Sequence, residues 1–273
     1  MAWGCFSWIP CPYKKWDEAN RTSMVAMLPL VGTGLGLLSA IIWGLTGALG
    51  MGPVLSGAVI TGVYFVMTGF IHLDGFMDVS DAVMPRHPRR EERIRILKDP
   101  HTGSFAAISM ALMFLIFAAS AGELSSLWHA GALALIAVAT TSRCVSAMTV
   151  ICCQPMPTSQ YTTTDFGRPG SFRKALPALV ITILVLAGCV VICLQAPQLT
   201  PLLPERPHFI VAAMACSAAW SVLGAAGVCA ATAMIIGVLD RRSLGGMNGD
   251  ISGHMITSGE MAGLLAAAIL MEL

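Results

Sequence analysis

Three aspartates at helical spacing are the residues of this sequence best suited to chemistry. Asp74, Asp78 and Asp81 stand at positions i, i+4 and i+7 of the stretch GFIHLDGFMDVSDA. On an α-helix, which turns about 100° per residue, their carboxylates lie within about 60° of one another. The three like charges repel one another, and because the preceding residues are apolar, the carboxylates also lose hydration. Bound cations or partial protonation would relieve both costs. Mg²⁺ prefers such oxygen ligands and often holds substrate phosphates. The alternative is an ordinary solvated helix end.

A basic run follows the aspartates directly. It comprises Arg86, Arg89, Arg90, Arg93, Arg95 and Lys98, interrupted by Glu91 and Glu92. Guanidinium groups bind phosphate through paired hydrogen bonds, so one or two of these residues could contact a phosphorylated substrate. For most of them, we expect instead the role of an interfacial helix that is attracted to anionic lipid.

A second polar cluster lies near the end of the chain, in LDRRSLGGMNGDISGHMITSGE. Gly245, Gly246, Gly249 and Gly253 allow the backbone to approach a ligand closely, and the backbone N–H groups of such a turn can bind phosphate. Asn248 and Asp250 add oxygen ligands. A glycine-rich turn on its own is weak support for a site, because many membrane loops contain one.

The elements that must position these residues are membrane helices. Apolar residues make up 56% of the 273 positions and charged residues only 11%, with a mean hydropathy of +0.75. Soluble domains carry about 25% charged residues. The pattern predicts one all-α domain, 1–273, that forms a polytopic bundle of about seven spans. The predicted spans are 24–48, 52–72, 103–122, 127–151, 175–195, 208–238 and 254–272. A net charge near zero gives no reason to expect a nucleic-acid partner.

The basic residues predict the orientation of these spans. With a cytoplasmic N-terminus, the cytoplasmic segments are 1–23, 73–102, 152–174 and 239–253. All of the 16 basic residues except Arg206 then fall in these segments or, like Arg143, near them. This asymmetry follows the positive-inside rule. We therefore expect a multi-pass protein of the plasma or inner membrane, in contact with lipid, with its active site facing the cytoplasm.

One acid lies inside a predicted span. Glu260 falls about one turn into the last span, where an ionisable residue usually faces the bundle interior and marks function. Pairing with a buried histidine such as His254 is the structural alternative.

The motifs resemble the cobalamin synthase family, the adenosylcobinamide-GDP ribazoletransferases. The resemblance covers essentially the whole chain, and it is carried by GFIHLDGFMDVSDA, ILKDPHTGSFA, SRCVSA and LGGMNGDISGHM, with FSWIPCP and LPLVG near the start. This chain departs from the family at Ala82, where the family commonly has Gly, at Pro100-His101, where it has Ser-Arg, and at Trp8, where it has Arg. The missing basic groups put phosphate roles at those positions in doubt, and His101, Arg143 or Arg95 could substitute.

The resemblance implies an Mg²⁺-dependent enzyme. A hydroxyl of α-ribazole, or of its 5′-phosphate, attacks adenosylcobinamide-GDP, GMP leaves, and adenosylcobalamin or its 5′-phosphate forms. We expect Asp74, Asp78, Asp81 and Asp250 as metal ligands. We expect Asp81 or Asp99 as general base and Lys98 as a catalytic cation. The expected substrate contacts are Arg95, His101, Arg143, Gly245, Gly246, Asn248 and Gly249.

Two other functions fit less well. A CDP-alcohol phosphotransferase also uses membrane aspartates and Mg²⁺, but its Asp-Gly is followed by Ala-Arg and a second aspartate pair, which this chain lacks. A transporter places charges near the midplane within an inverted repeat, and no repeat is visible here. The sequence leaves open the lower base and the phosphorylation of the acceptor. It is compatible with a homo-oligomer, because Gly- and Ala-rich spans can also pack between subunits.

Overall fold

The fold consists of helices joined by short connections. The computed structural model describes residues 1–11, 16–85, 89–124, 128–159, 161–162, 166–199 and 208–272. The helices are α1 Ala2–Phe6, α2 Arg21–Ala26, α3 Leu28–Ala48, α4 Pro53–Met67, α5 Ile71–Val83, α6 Arg90–Leu97, α7 Ser104–Leu124, α8 Trp128–Cys152, α9 Ser171–Leu199, α10 His208–Leu244 and α11 Gly249–Glu272. The all-α prediction is confirmed. The basic residues Lys14, Lys15, Arg86 and Arg206, which contributed to the predicted orientation, lie outside the described ranges.

Six of these helices are long and apolar enough to cross a membrane: α3, α7, α8, α9, α10 and α11. Helices α4 and α5 meet the same criterion only as a pair, and they are bent by 94° relative to each other. The described part of the chain therefore has six helices, or seven if the bent pair counts as one span, that could cross a membrane, as in a multi-pass membrane protein.

Two helices form the centre of the bundle. An 18-residue stretch is 78% buried in α8 and 61% buried in α11, against 22% in α9. The outer helices expose large apolar side chains, such as Ile41 of α3 and Leu184 of α9. Such faces are stable against lipid, where no hydrophobic driving force hides them.

Close packing of α3 on α8 depends on glycine. A Cβ atom on Gly32 would lie 2.3 Å from the Ala139 carbonyl oxygen, and one on Gly36 would lie 2.6 Å from the Ile136 Cα. Small residues at this spacing let two membrane helices approach until their backbones touch. The contact holds α8 against the N-terminal third of the chain.

The predicted second span, 52–72, differs from the structure at its C-terminal end. Helix α4 ends at Met67, and the next residues include Gly69 and Phe70 with φ of 62° and 59°. A left-handed conformation is costly for a residue with a side chain, so the break at Phe70 needs support from its surroundings. The backbone N–H of Trp8 supplies part of it by donating to the Met67 carbonyl at 2.9 Å. The chain thus turns sharply before the aspartate helix begins.

Candidate active site

Helix α5 carries the three aspartates and is too short to span a membrane alone. Its 13 residues extend about 20 Å, against a hydrocarbon core of about 30 Å. The side chains of His72, Leu73 and Phe76 are buried on one face, while Asp74 is exposed on the other. An amphipathic helix of this kind presents its polar face to water, so the aspartates are accessible to a polar ligand.

Helix α5 crosses α11 at two glycines. A Cβ atom on Gly75 would lie 2.8 Å from the Cα and the carbonyl oxygen of Asp250. A Cβ atom on Gly253 would lie 2.7 Å from the His72 carbonyl oxygen and 3.3 Å from the Gly75 Cα. The two backbones are therefore in direct contact. This crossing joins the two polar clusters that the sequence separates by more than 160 positions.

Four carboxylates gather around the crossing. Asp78 is half-buried, and the charges of Asp74, Asp81 and Asp250 all act on it. Within the described part of the chain, no lysine, arginine or histidine forms an ion pair with Asp74, Asp78 or Asp250. A cluster of like charges without counter-ions favours a bound cation.

The carboxylates are close to one another, but their oxygens do not surround one common ion position. Among the described residues, no group of three or more His, Cys, Asp or Glu side chains is arranged as a set of metal ligands. Asn248 contributes to holding one member in place, since its Nδ2 donates to the Asp250 Oδ2 at 2.7 Å while its Oδ1 caps α11 by accepting from the Ile251 N–H. Mg²⁺ needs only one or two protein carboxylates when water and substrate phosphate complete its shell.

Asp81 has a structural partner. Its Oδ2 accepts from the Gly103 backbone N–H at 2.6 Å, and its Oδ1 accepts from the Ala106 N–H at 2.9 Å. The carboxylate thus caps the first turn of α7, where it is also favoured by the helix dipole. A Cβ on Gly103 would overlap this carboxyl group, at 2.6 Å from Oδ1. The roles of Asp81 as metal ligand and general base stay predictions.

The segment between α6 and α7 holds three other predicted residues. Lys98, Asp99 and His101 are all exposed. The Asp99 Oδ1 lies 2.7 Å from the His101 Nδ1 and accepts from the His101 backbone N–H at 3.0 Å. These contacts, the backbone hydrogen bond foremost, hold the pKa of Asp99 below its ordinary value. Asp99 is therefore ionised, and the imidazole of His101 is oriented by it.

Arg95 has an acidic partner on its own helix. Its Nη2 lies 2.7 Å from the Glu92 Oε1, and the arginine side chain is 77% exposed. An exposed i,i+3 pair of this kind contributes little to stability and is easily exchanged for another anion. Arg95 is exposed, and its predicted contact with a phosphate stays a prediction.

Arg143 lies away from the exposed carboxylates. Its side chain is fully buried and forms an ion pair with Glu260, while the Tyr64 hydroxyl donates to the Glu260 Oε1 at 2.6 Å and accepts from the Arg143 Nη1 at 3.0 Å. Ser142 also donates to Glu260, at 2.9 Å. The geometry thus gives Arg143 a buried ion pair, and its predicted contact with the substrate stays a prediction.

The structural alternative for Glu260, pairing with His254, is not what the structure shows. The His254 Nδ1 lies 2.7 Å from the Asp240 Oδ2, and both side chains are buried. This second pair ties α10 to α11 next to the α5 crossing, where the Phe76 ring centroid lies 5.2 Å from that of His254. Both buried acids of this region therefore have basic partners, in contrast to the exposed aspartates.

The glycine-rich turn before α11 forms one wall of a basic pocket. Gly245 and Gly246 adopt φ of 88° and 157°. The next residue, Met247, is linked to the loop after α8: its N–H donates to the Gln154 carbonyl and its carbonyl accepts from the Met156 N–H, both at 2.9 Å. Three arginines complete the lining, namely Arg90, Arg241 and Arg242.

Sequence reasoning missed several of these residues. Gly75 looked like a flanking position of its motif, and Gly253 was predicted only as a point of close approach to a ligand, yet the two glycines set the distance between α5 and α11. A glycine within one helical turn of an acid on each of two helices is the signal that could have identified this crossing. The pocket arginines of α10 were assigned only to membrane orientation, and no local pattern connects them to Arg90.

Comparisons with known proteins agree with the motifs. A family model described as cobalamin-5-phosphate synthase matches residues 1–268. An adenosylcobinamide-GDP ribazoletransferase from Clostridium perfringens (strain 13 / Type A) is 27% identical over 271 residues, which cover 99% of this chain and 96% of that protein. One from Pseudomonas syringae pv. syringae (strain B728a) is 28% identical, over 93% of this chain and 90% of its own length.

A more similar segment comes from Clostridium botulinum (strain Eklund 17B / Type B). Its adenosylcobinamide-GDP ribazoletransferase is 40% identical over 116 residues, or 42% of this chain, and the match spans slightly less than half, 46%, of that relative's length. No solved structure matches the chain.

Proposed function

This chain belongs to the cobalamin-5-phosphate synthase family, and from that premise we propose that it is an adenosylcobinamide-GDP ribazoletransferase. The donor is adenosylcobinamide-GDP, and the acceptor is α-ribazole or its 5′-phosphate. The products are GMP and adenosylcobalamin or its 5′-phosphate. The names of the full-length relatives support this reaction, whereas a CDP-alcohol phosphotransferase and a transporter receive no support from them.

The reaction exchanges one phosphorus–oxygen bond for another. The acceptor hydroxyl oxygen bonds to the phosphorus on the cobinamide side of the anhydride, and the bond from that phosphorus to the bridging oxygen breaks. GMP leaves with the electron pair, and the hydroxyl proton passes to a base. Negative charge builds up on the transferring phosphoryl group and on GMP, so catalysis depends on positioning and on charge neutralisation.

The single observation that carries the proposal is the contact of α5 with α11 at Gly75 and Gly253. It places Asp74 and Asp78 beside Asp250 in a water-accessible cluster that has no described basic partner. The donor set, oxygen only and without sulfur or imidazole, suits Mg²⁺. We propose that these three carboxylates hold the ion, which when bound supplies positive charge to the oxygens of the anhydride.

The segment between α6 and α7 contains a candidate general base for the proton of the acceptor hydroxyl group. With the Nδ1–H of His101 donating to the ionised Asp99, the Nε2 of the ring carries a free lone pair. An imidazole accepts a proton near neutral pH more readily than a carboxylate of lowered pKa. We therefore place His101 as the base and Asp99 as the group that orients it. Lys98 of the same segment and Arg95 of α6 are candidate phosphate contacts.

A GMP-release assay with purified protein in detergent tests the proposed function. Adenosylcobinamide-GDP, α-ribazole 5′-phosphate and Mg²⁺ should yield GMP and a cobamide in equal amounts. Chelation with EDTA should stop release, and added Mg²⁺ should restore it. Absence of GMP from the intact protein with both acceptors would overturn the function, and full activity in EDTA would overturn the metal.

The same reaction can test on which face of the membrane the carboxylate cluster lies. The predicted orientation puts the carboxylate cluster on the cytoplasmic face of the plasma or inner membrane. The charged donor does not cross a bilayer, so inverted vesicles should release GMP without permeabilisation and right-side-out vesicles should not. The opposite result would reverse the orientation and leave the reaction unchanged.

A further inference from the structure

The arginine-lined pocket beside the glycine turn has no role in the chemistry described so far. It is an open cavity of about 500 Å³ between α6, the C-terminal end of α10 and the loop after α8. A volume of this order falls within the range of small-molecule sites, which is about 300–1,000 Å³. The lining residues with polar groups are Arg90, Arg241, Arg242 and Gln154, together with the backbone of Gly245 and Gly246.

The three pocket arginines lack acidic partners among the described residues. The Arg90 Nη2 donates to the Arg242 carbonyl at 3.1 Å, and the Arg241 Nε donates to the Gly237 carbonyl at 3.0 Å. The first bond holds the Arg90 side chain and the second holds that of Arg241, and both leave other guanidinium N–H groups unused. Three like charges that line one cavity repel one another, and a bound anion relieves the repulsion.

The opposite wall of the pocket is rigid backbone. Gly245, at φ 88°, lies under the Arg90 side chain, where a Cβ would come within 3.2 Å of Cδ. A Cβ on Gly246 would lie 2.6 Å from the Met156 backbone nitrogen. Because two hydrogen bonds also tie Met247 to the loop after α8, the wall is preorganised, and binding an anion here costs little ordering of the chain.

The pocket adjoins the carboxylate cluster. Gly246 and Asp250 are four positions apart, which limits the distance between them to about 14 Å even for extended chain. A donor whose anhydride lies at the carboxylates is therefore close enough to place one of its two ends in the pocket, which Gly246 lines. The GMP end is the smaller, and it carries a phosphate that gains charge as it leaves.

We propose that Arg90, Arg241 and Arg242 bind the phosphate of the GMP half of the donor, with the purine nucleoside occupying the pocket above Gly245 and Gly246. The inference rests on the proposed transfer reaction and adds to it the site of the leaving group. Arginine neutralises the charge that GMP acquires, and release of GMP empties the pocket for the next donor.

The test uses Arg241→Gln and Arg90→Gln in nanodiscs of zwitterionic lipid, with Arg173→Gln, an exposed arginine of α9, as the matched control. Each pocket variant should raise KM for adenosylcobinamide-GDP by about 10-fold, the effect of losing one charge-assisted hydrogen bond. It should weaken product inhibition by GMP to the same extent. KM for the acceptor should not change, and the control should behave as the wild type does.

A measurement on the unaltered protein covers the case in which a variant fails to fold. GMP should protect Arg241 and Arg242 from modification by phenylglyoxal, read by peptide mass spectrometry, and should leave Arg173 reactive. Protection by anionic phosphatidylglycerol vesicles, with none by GMP, would assign the pocket to a lipid headgroup and overturn the inference.

The two proposals fail in different ways. If the wild type releases no GMP from the donor, the transfer reaction is wrong. If the wild type is active while both pocket variants keep its KM and its GMP inhibition, the reaction stands and the pocket assignment is wrong.

Discussion

The two groups of ionisable residues in the bundle differ in burial and in pairing. Arg143 and Glu260 are buried, 0% and 3% exposed, and are joined by hydrogen bonds to Tyr64. Asp74 and Asp78 lie at the surface of α5 and have no described counter-ion. A buried charge is stable only when it is paired, whereas unpaired carboxylates persist where water or a cation can reach them. Pairing therefore accounts for the buried group as structure, and the unpaired aspartates are the ones that we propose to act in catalysis.

The same distinction separates the arginines. Arg143 faces an acid inside the bundle, while the arginines of the pocket face one another across a cavity. The pocket wall at Gly246 lies within about 14 Å of Asp250, so the unpaired acidic groups and the unpaired basic groups occupy neighbouring parts of one surface. A substrate with a pyrophosphate between two larger parts, together with a cation, satisfies both halves.

The largest effect on stability is expected when the buried pair of Arg143 and Glu260 is broken. Glu260→Ala leaves the Arg143 charge without a partner and should lower the free energy of unfolding by about 3–5 kcal/mol. Thermal unfolding in detergent measures it. The double variant Arg143→Met/Glu260→Met removes both charges and should recover most of the loss. If the single variant is as stable as the wild type, the pair is not structural.

The next largest effect is expected from a change at the carboxylate cluster, and it should alter catalysis without lowering stability. Asp78→Asn keeps the size of the side chain, removes its charge, and should lower the rate of GMP release by about 100-fold or more. The unfolding temperature should stay the same or rise, because repulsion with the neighbouring carboxylates is relieved. Glu91→Gln, a change at an exposed acid of α6, is the control. Normal turnover in Asp78→Asn would remove Asp78 from the metal site.

A smaller loss of stability and activity is expected from a change at the contact of α5 with α11, which brings the carboxylates together. Gly253→Ala forces α11 away from the His72 carbonyl and should cost about 1–3 kcal/mol of stability, with a drop in activity. Gly227→Ala is the matched control, since a Cβ there meets nothing within 4 Å. Equal activity in both variants would show that the spacing of Asp74 and Asp250 does not matter.

The smallest effect separates the two readings of Asp81. As a cap on α7, Asp81→Ala should lower the free energy of unfolding by about 1 kcal/mol and should reduce activity less than Asp78→Asn does. Paired measurements of unfolding and GMP release decide this. A loss of activity as large as that of Asp78→Asn, at unchanged stability, would place Asp81 among the catalytic groups.

Local patterns were sufficient to predict the class of fold and the acidic face. Apolar runs long enough to cross a bilayer predict helices, since the bilayer leaves the backbone no other way to satisfy its hydrogen bonds. The i, i+4, i+7 spacing predicts that Asp74, Asp78 and Asp81 share one face, because helix geometry repeats within a few residues. The break at Phe70 was missed, since the run 52–72 is apolar throughout and hydropathy does not register a left-handed residue.

The sequence by itself determined that this protein crosses a membrane and carries an acidic helix and a glycine turn, because composition and helical period are local properties. Only the tertiary structure decided which of these groups meet. Arg143 pairs with Glu260 across 117 positions, and Asp81 caps a helix that begins after Gly103. Such contacts depend on how closely helices pack, as at Gly75 and Gly253, and no nearest-neighbour pattern encodes that distance.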